Sequence, residues 1–356
     1  MEGLLPFAAQ NHLTTALLVL ASIAASFALT PLSIRLAEKL GIIDYPGRSD
    51  HTIHEKPTPR SGGIAILLSI FAVVLLFSLF GLRWFLSPLL PALIVFAFGL
   101  WDDKKGMDAP TKLTGQLAAS VLLIALGVRV RIFEGAGFFI QLNSQLAYWV
   151  DIAITLFWMV GITNAFNMVD SMDGLAIGLG QVTSVFFLFL TIISEQPAVA
   201  MLAAVLFGVC TGLAFYNEKP AKTFLGDSGA QMLGFILAAV AILYNPKGFS
   251  QQVSWFTPIL FFSVPIFDTT LVTISRLRRG LPFYKANFDH TYHRLVRLGW
   301  DEYRAVSITR TASILCCLAA VCAVYLDPLG ANLIFALWLA VFAVLMIILE
   351  KTYTPD

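Results

Sequence analysis

The sequence has 356 residues, of which 58 % are hydrophobic and 13 % charged, and its mean hydropathy is +0.80. An ordinary soluble domain carries about 25 % charged residues, so this composition excludes a disordered chain, a nucleic-acid-binding domain and a typical cytosolic enzyme. The net charge of +1 gives no bulk attraction to polyanions, and no nucleic acid is expected as a partner. Residues 1–356 are expected to form a single polytopic transmembrane domain.

A bilayer-crossing helix needs roughly 20 apolar residues. Runs of this kind lie, in chain order, at 13–32, 63–82, 87–100, 114–128, 146–164, 175–194, 198–215, 231–244, 253–274, 306–326 and 329–349. They predict an all-α integral membrane protein with about eleven transmembrane helices. The third run is short and opens beside Pro88 and Pro91. The first has no basic segment before it and reads as a retained span, not a cleaved signal peptide. Cys210, Cys316, Cys317 and Cys322 all fall inside apolar runs and read as small buried hydrophobes.

Of the 23 Lys and Arg residues, 19 fall on one set of loops and 4 on the other. The positive-inside rule then puts the N-terminus outside and the C-terminus in the cytoplasm. His51, His54, His290 and His293 fall on the same cytoplasmic face, as do Asp102, Asp103, Asp170, Asp173, Asp227 and Asp289. A solvated surface explains charge in general. It does not explain loops rich in Asp, Asn, His and Gly on this face alone.

Five clusters carry chemistry. His54-Glu55-Lys56-Pro57-Thr58-Pro59-Arg60-Ser61-Gly62-Gly63 leads into the second run and supplies cations with a Gly-Gly turn. Trp101-Asp102-Asp103-Lys104-Lys105 ends the third; its adjacent carboxylates suit a divalent metal with phosphate oxygens, a base with its counter-charge, or a polar helix stop. Asn164, Asn167, Asp170 and Asp173 recur at a step of three, which keeps them near one face of a helical turn; their hard oxygens suit Mg²⁺. In Phe224-Leu225-Gly226-Asp227-Ser228-Gly229, the glycines allow close backbone approach to a ligand. The following amides suit phosphate, although the stretch is also good turn chemistry. Arg276-Leu277-Arg278-Arg279 and Asp289-His290-Thr291-Tyr292-His293-Arg294 offer arginine forks and imidazoles for phosphate and sugar oxygens, or a basic stripe for anionic headgroups. Together they call for a water-soluble phosphate-bearing substrate and a lipid co-substrate. The absence of a Walker loop from the sequence speaks against an ATP-driven pump.

From about residue 44 to residue 297 these clusters, in this order and spacing, resemble the polyprenyl-phosphate N-acetylhexosamine-1-phosphate transferases, the family of WecA, TagO and MraY. The resemblance implies a cytoplasmic active-site cleft that uses Mg²⁺, with Mn²⁺ able to substitute, and transfers a sugar 1-phosphate from a UDP-N-acetyl sugar to undecaprenyl phosphate. UMP is released, and the diphosphate-linked lipid feeds cell-envelope polysaccharide synthesis such as wall polymer or O-antigen. Membrane lipids are implied partners, and a homodimer is compatible. By motif match, Asp227 and Asn167 look like the Mg²⁺ ligands, and Asp102, Asp103 and Asp227 like the catalytic carboxylates. Asn164, Asp170 and Asp173 match substrate-site positions, Phe224 the uracil-stacking aromatic, and Lys56 a nucleotide-binding lysine. Arg276, His290 and His293 match the arginine and histidines near the pyrophosphate and sugar.

One stretch places the chain within a branch of the family, and two residues depart from the family pattern. Pro59-Arg60-Ser61-Gly62-Gly63 resembles the WecA and TagO branch, which makes UDP-GlcNAc the expected donor. Tyr292 stands where the family usually has the first of two adjacent histidines, and Ala230 where serine is common. Rival expectations are transfer of phospho-MurNAc-pentapeptide as in MraY, a CDP-alcohol phosphotransferase, and a secondary transporter. The second lacks its Ala-Arg step after Asp173-Gly174. The third requires ionisable groups at mid-membrane and an internal repeat.

Overall fold

Long apolar runs leave the backbone of a lipid-embedded chain no hydrogen-bonding partner but itself, and helix is the conformation that satisfies it. The computed structural model describes residues 7–46, 56–78, 86–135, 138–246, 248–282 and 289–353, with side chains from His12 onward. His51, His54 and Glu55 lie outside the described residues. The helices are α1 (Phe7–Leu40), α2 (Gly62–Ser78), α3 (Leu86–Lys105), α4 (Ala109–Ala125), α5 (Ser144–Val169), α6 (Leu175–Ile193), α7 (Pro197–Asn217) and α8 (Gly226–Leu243). They continue with the short α9 (Gln251–Ser254) and α10 (Thr257–Phe261), then α11 (Ser263–Arg278), α12 (Thr291–Arg297), α13 (Glu302–Ala323) and α14 (Pro328–Thr352). A small antiparallel ribbon pairs β1 (Ile43–Asp44) with β2 (Thr58–Pro59), Ile43 opposite Pro59.

Eight of the described helices are long and apolar enough to cross a membrane: α1, α3, α5, α6, α7, α8, α13 and α14. The chain is therefore a multi-pass membrane protein. Within the described residues, every apolar run read from the sequence lies largely on helix; residues 79–82 of the second run lie outside the described residues. Two differ from expectation in form. The ninth run is not continuous: it bends by 64° between α10 and α11 at Phe262, with Pro258 and Pro265 in the first turns on either side. Proline is tolerated there because the first-turn amides have no partner to lose. The third run is longer than expected, since α3 runs on to Lys105 and carries Asp102 and Asp103 in its last turns.

The centre of the bundle is α7 and α8, in each of which 78 % of the apolar stretch is buried, against 6 % in α14. Lipid is as apolar as leucine, so helices associate in it through close packing and polar contacts. Gly208 and Gly212, one turn apart on α7, lie against α1; a Cβ on Gly212 would stand 2.6 Å from the Ile23 carbonyl oxygen. Ser26 of α1 donates to the Val209 carbonyl at 2.8 Å across this seam. Short polar side chains begin the helices: Asp108, Asn143, Asp301 and Asp327 accept from first-turn amides of α4, α5, α13 and α14.

This arrangement brings four helix ends together. The C-termini of α3 and α5 and the N-termini of α4 and α8 meet beside the β-ribbon, where Arg60 bridges to Phe224.

Candidate active site

The four helix ends each contribute one polar side chain to a common point. From α3, Asp102 pairs with Lys112 of α4 and lies against Asp227 of α8. Lys112 Nζ is 3.5 Å from Asp227 Oδ2, and Asn167 of α5 hydrogen-bonds the Asp227 side chain. Asp227 is the open member of the set: its side chain is 22 % exposed, that of Asp102 5 % and that of Asp103 0 %. Asp102, Asn167 and Asp227, all expected site residues, are thus brought together. Lys112 is one of the 19 basic residues on the cytoplasmic set of loops and belongs to none of the five clusters. Its spacing of four from Gln116, inside a run that continues as apolar helix, is the signal that could have marked it.

The adjacent carboxylates Asp102 and Asp103 have separate tasks. Asp103 caps α8: Oδ1 accepts from the Asp227 amide at 2.8 Å, and Oδ2 accepts from the Ser228 amide at 3.0 Å and the Ser228 hydroxyl at 2.6 Å. A carboxylate suits the positive end of a helix. The first amides of α8, expected to meet phosphate, are therefore occupied by Asp103. The glycines expected to admit a ligand admit protein instead. Gly226 has φ +71°, and a Cβ there would stand 2.8 Å from both Asp103 oxygens; a Cβ on Gly229 would meet the Gly63 amide at 2.8 Å. Asp103 still borders the site, with Arg60 Nη1 at 4.0 Å.

The polar step of three after Asn164 does not form one face, because α5 stops at Val169 and Gly174, at φ +74°, starts α6 in a new direction. Asn164, expected at the substrate site, is engaged with other amides: it exchanges hydrogen bonds with Gln116 at 2.7 and 3.2 Å, and Gln116 also donates to Gln231 at 3.0 Å. These three amides sit one turn deeper than Lys112, Asn167 and Asp227 on the same three helices. Asp173 Oδ2 accepts from the Ala221 amide at 3.1 Å and so fastens the loop before Phe224. Burial, then the negative charges of Asp227 and Asp103, push the Asp170 carboxyl well above the ordinary carboxylate range, Arg60 opposing only in part. The site is short of positive charge. Phe224 is half-buried, its amide donating to the Pro59 carbonyl at 2.9 Å, and Lys56 stands exposed at the start of the ribbon.

The segment after α11 forms the remaining wall. Arg276 is expected at phosphate, yet it grips Asp289 with two bonds, Nε to Oδ2 at 3.0 Å and Nη2 to Oδ1 at 2.7 Å; Arg279 adds a third at 2.8 Å. Burial would raise the Asp289 carboxyl, but the Arg276 and Arg279 hydrogen bonds outweigh it and hold it below the ordinary range. His290 Nδ1 lies 2.7 Å from Asp268 Oδ2. Tyr292, in place of a histidine, is 1 % exposed. Its hydroxyl donates to the Met168 carbonyl at 3.1 Å and touches Ser171, tying α12 to the α5–α6 turn. Burial, then the charge of His290, lowers His293 to about 4, which leaves it neutral at pH 7. Asp268 belongs to none of the five sequence clusters, although an acidic residue inside an apolar run is itself a signal.

Among the described residues no group of three or more His, Cys, Asp or Glu side chains forms a ready-made ion cage. The donor set nevertheless fits Mg²⁺. Asp227 and Asn167 offer hard oxygens beside an excess of carboxylate, and Mg²⁺ is usually held by one or two carboxylates, with waters and substrate phosphates completing its shell.

The family model described as glycosyl transferase family 4 matches residues 85–245. The chain is 31 % identical over 283 residues, covering 79 % of it and 76 % of the relative, to a probable undecaprenyl-phosphate N-acetylglucosaminyl 1-phosphate transferase of Bacillus subtilis. It is 32 % identical over 373 residues, covering 94 % of it and 90 % of the relative, to the decaprenyl-phosphate N-acetylglucosaminephosphotransferase of Mycobacterium tuberculosis. A phospho-N-acetylmuramoyl-pentapeptide-transferase of Bacillus cytotoxicus is 30 % identical over 311 residues, covering 82 % of this chain and 92 % of that one. With a site assembled from the motifs that carry the resemblance, and with these likenesses over most of its length, the chain belongs to the polyprenyl-phosphate N-acetylhexosamine-1-phosphate transferase family, in its WecA-like branch.

Proposed function

We propose that the chain transfers N-acetylglucosamine 1-phosphate from UDP-GlcNAc to undecaprenyl phosphate, at the cytoplasmic face of a bacterial inner membrane. The observation that carries this is the meeting of Asp102, Lys112, Asn167 and Asp227 from four helix ends at one point. The names of the N-acetylglucosamine transferases of Bacillus subtilis and Mycobacterium tuberculosis support the substrate class. The loop charges support an outside N-terminus and a cytoplasmic cleft, and the eleven apolar runs of the sequence support about eleven spans in one polytopic domain over residues 1–356.

The reaction exchanges like for like. A bond forms between an oxygen of the acceptor phosphate and the β-phosphorus of the donor. The bond from that phosphorus to the bridging oxygen breaks, and UMP leaves with the bridging oxygen. Positioning and charge neutralisation therefore supply most of the rate. Asp227 and Asn167 would hold Mg²⁺, which neutralises charge on the pyrophosphate when bound. Lys112 lies between Asp102 and Asp227 and meets the phosphate that approaches them. Asp102 is the carboxylate of its pair that faces this point, so it takes or steers the acceptor's proton while Asp103 fixes α8. Phe224 and Asp170 border the nucleotide side. The 289–293 segment, clamped by Arg276, closes the sugar side with His290 and His293.

Mass spectrometry of the lipid product tests this. Purified full-length chain, undecaprenyl phosphate and Mg²⁺ are offered a panel of UDP-sugars. The expected product is undecaprenyl diphosphate carrying N-acetylglucosamine. A panel that yields only the MurNAc-pentapeptide product supports the second reading, which the likeness to the Bacillus cytotoxicus transferase favours, and no lipid product with any donor refutes both.

A further inference from the structure

Two side chains of α11 hold the segment that carries His290. Arg276 grips Asp289, and Asp268, eight positions earlier, reaches the next two residues. Eight residues are just over two turns, so both side chains leave the same face of α11. Asp268 is 1 % exposed. Its Oδ2 lies 2.7 Å from His290 Nδ1, and its Oδ1 accepts from the Thr291 amide at 2.7 Å. Both carboxylate oxygens are thus spent on two consecutive residues of one segment.

An ionisable side chain within a bilayer-embedded helix is costly and is found where it has a task. The transfer itself gives Asp268 none. A carboxylate only accepts, so His290 must carry its proton on Nδ1, and Nε2 is the nitrogen left to face outward from the pair. The Tyr292 ring stacks nearly parallel to the imidazole, at 5.4 Å and 8°, and is itself anchored to the Met168 carbonyl. The imidazole is therefore fixed in both tautomer and direction before any substrate arrives.

We propose that Asp268 is a positioning residue for the transfer: it sets the tautomer and aim of His290 so that Nε2 meets the sugar diphosphate. The inference rests on the reading of His290 as a substrate-contacting residue. Carboxylates that orient an imidazole through its second nitrogen typically change activity by about 10–100-fold when removed.

The test uses the purified full-length chain with Asp268→Asn, His290→Gln and the double variant. Asparagine keeps the shape and can still accept from the Thr291 amide, but its NH₂ faces Nδ1 and moves the imidazole proton to Nε2. The expected result is a kcat lowered by about 10–100-fold with KM for the UDP-sugar within about twofold. The double variant is expected to be no worse than His290→Gln, because both changes remove one function. In ¹⁵N-histidine NMR the parent His290 carries a proton on Nδ1, and that proton is lost in Asp268→Asn. The parent spectrum needs no variant to fold, and a bare Nδ1 there overturns the proposal. So do losses that multiply in the double variant while His290→Gln is itself impaired. Full activity of His290→Gln fails differently: it removes His290 from the site and the proposal with it.

Discussion

Replacing Asn164 with leucine isolates what the buried amide cluster contributes. The substitution removes two interhelical hydrogen bonds, at 2.7 and 3.2 Å, and leaves the Gln116 side-chain oxygen without that partner in a position where Gln116 is 1 % exposed. Hydrogen bonds between helices in a membrane average about 0.6 kcal/mol and reach about 1.7 kcal/mol. Stranding a buried acceptor costs about 1–3 kcal/mol. The expected destabilisation is about 2 kcal/mol. For a chain of 356 residues this is about 3 °C in Tm, scaling the entropy of unfolding with length. The assay is thermal melting of the purified chain in detergent, with Gln116→Leu/Asn164→Leu/Gln231→Leu beside it. The triple variant leaves no amide to strand and is expected to melt within about 1 °C of the parent. An unchanged Tm in Asn164→Leu, or a triple variant less stable than the single one, would refute the reasoning.

Three further perturbations bear on the site. Gly226→Ala forces a Cβ into a position with φ +71° and against the Asp103 carboxylate; a loss of about 2 kcal/mol is expected in melting, combining the backbone term with the damaged cap. Asp170→Asn is expected to raise Tm while lowering turnover, and the Tm gain should depend on pH. Asp170 is held above the ordinary carboxylate range, so it contributes stability while protonated and that stability is lost as pH rises through its folded-state value. The gain in metal-free protein should therefore grow as pH rises above the ordinary carboxylate range and vanish at the acid end of that range; a gain independent of pH would contradict the assignment. Asp289→Ala leaves Arg276 buried without its bidentate partner and is expected to cost about 3–5 kcal/mol, read by melting, whereas a change under 1 kcal/mol would deny the clamp.

The apolar runs were legible because a bilayer demands long uninterrupted stretches, and within the described residues each lies largely on helix. The break at Phe262 was not, since Leu, Ile and Phe continue across it and only Pro258 and Pro265 hint at a bend. The clusters around Asp102, Asn167 and Asp227 were legible because polar residues at apolar helix ends are conspicuous. What each does was hidden, because partners lie far apart in the chain. Asp103 and Ser228 are 125 residues apart, and Gln116 and Gln231 115. Spacing cannot tell an arginine that grips a phosphate from Arg276, which grips Asp289. The step of three through Asn164, Asn167, Asp170 and Asp173 assumed a helix that Gly174 and the turn before it end.

The most direct measurement follows the phosphorus. Purified chain and undecaprenyl phosphate are given UDP-GlcNAc labelled with ³²P at the β-position, with Mg²⁺, and the lipid and aqueous phases are separated. Label in the lipid phase with the parent chain, and none with Asp227→Ala that melts as the parent does, is the expected result. Label that remains in soluble UDP while sugar reaches the lipid would contradict transfer of the sugar phosphate, and full transfer by Asp227→Ala would remove Asp227 from the centre of the site.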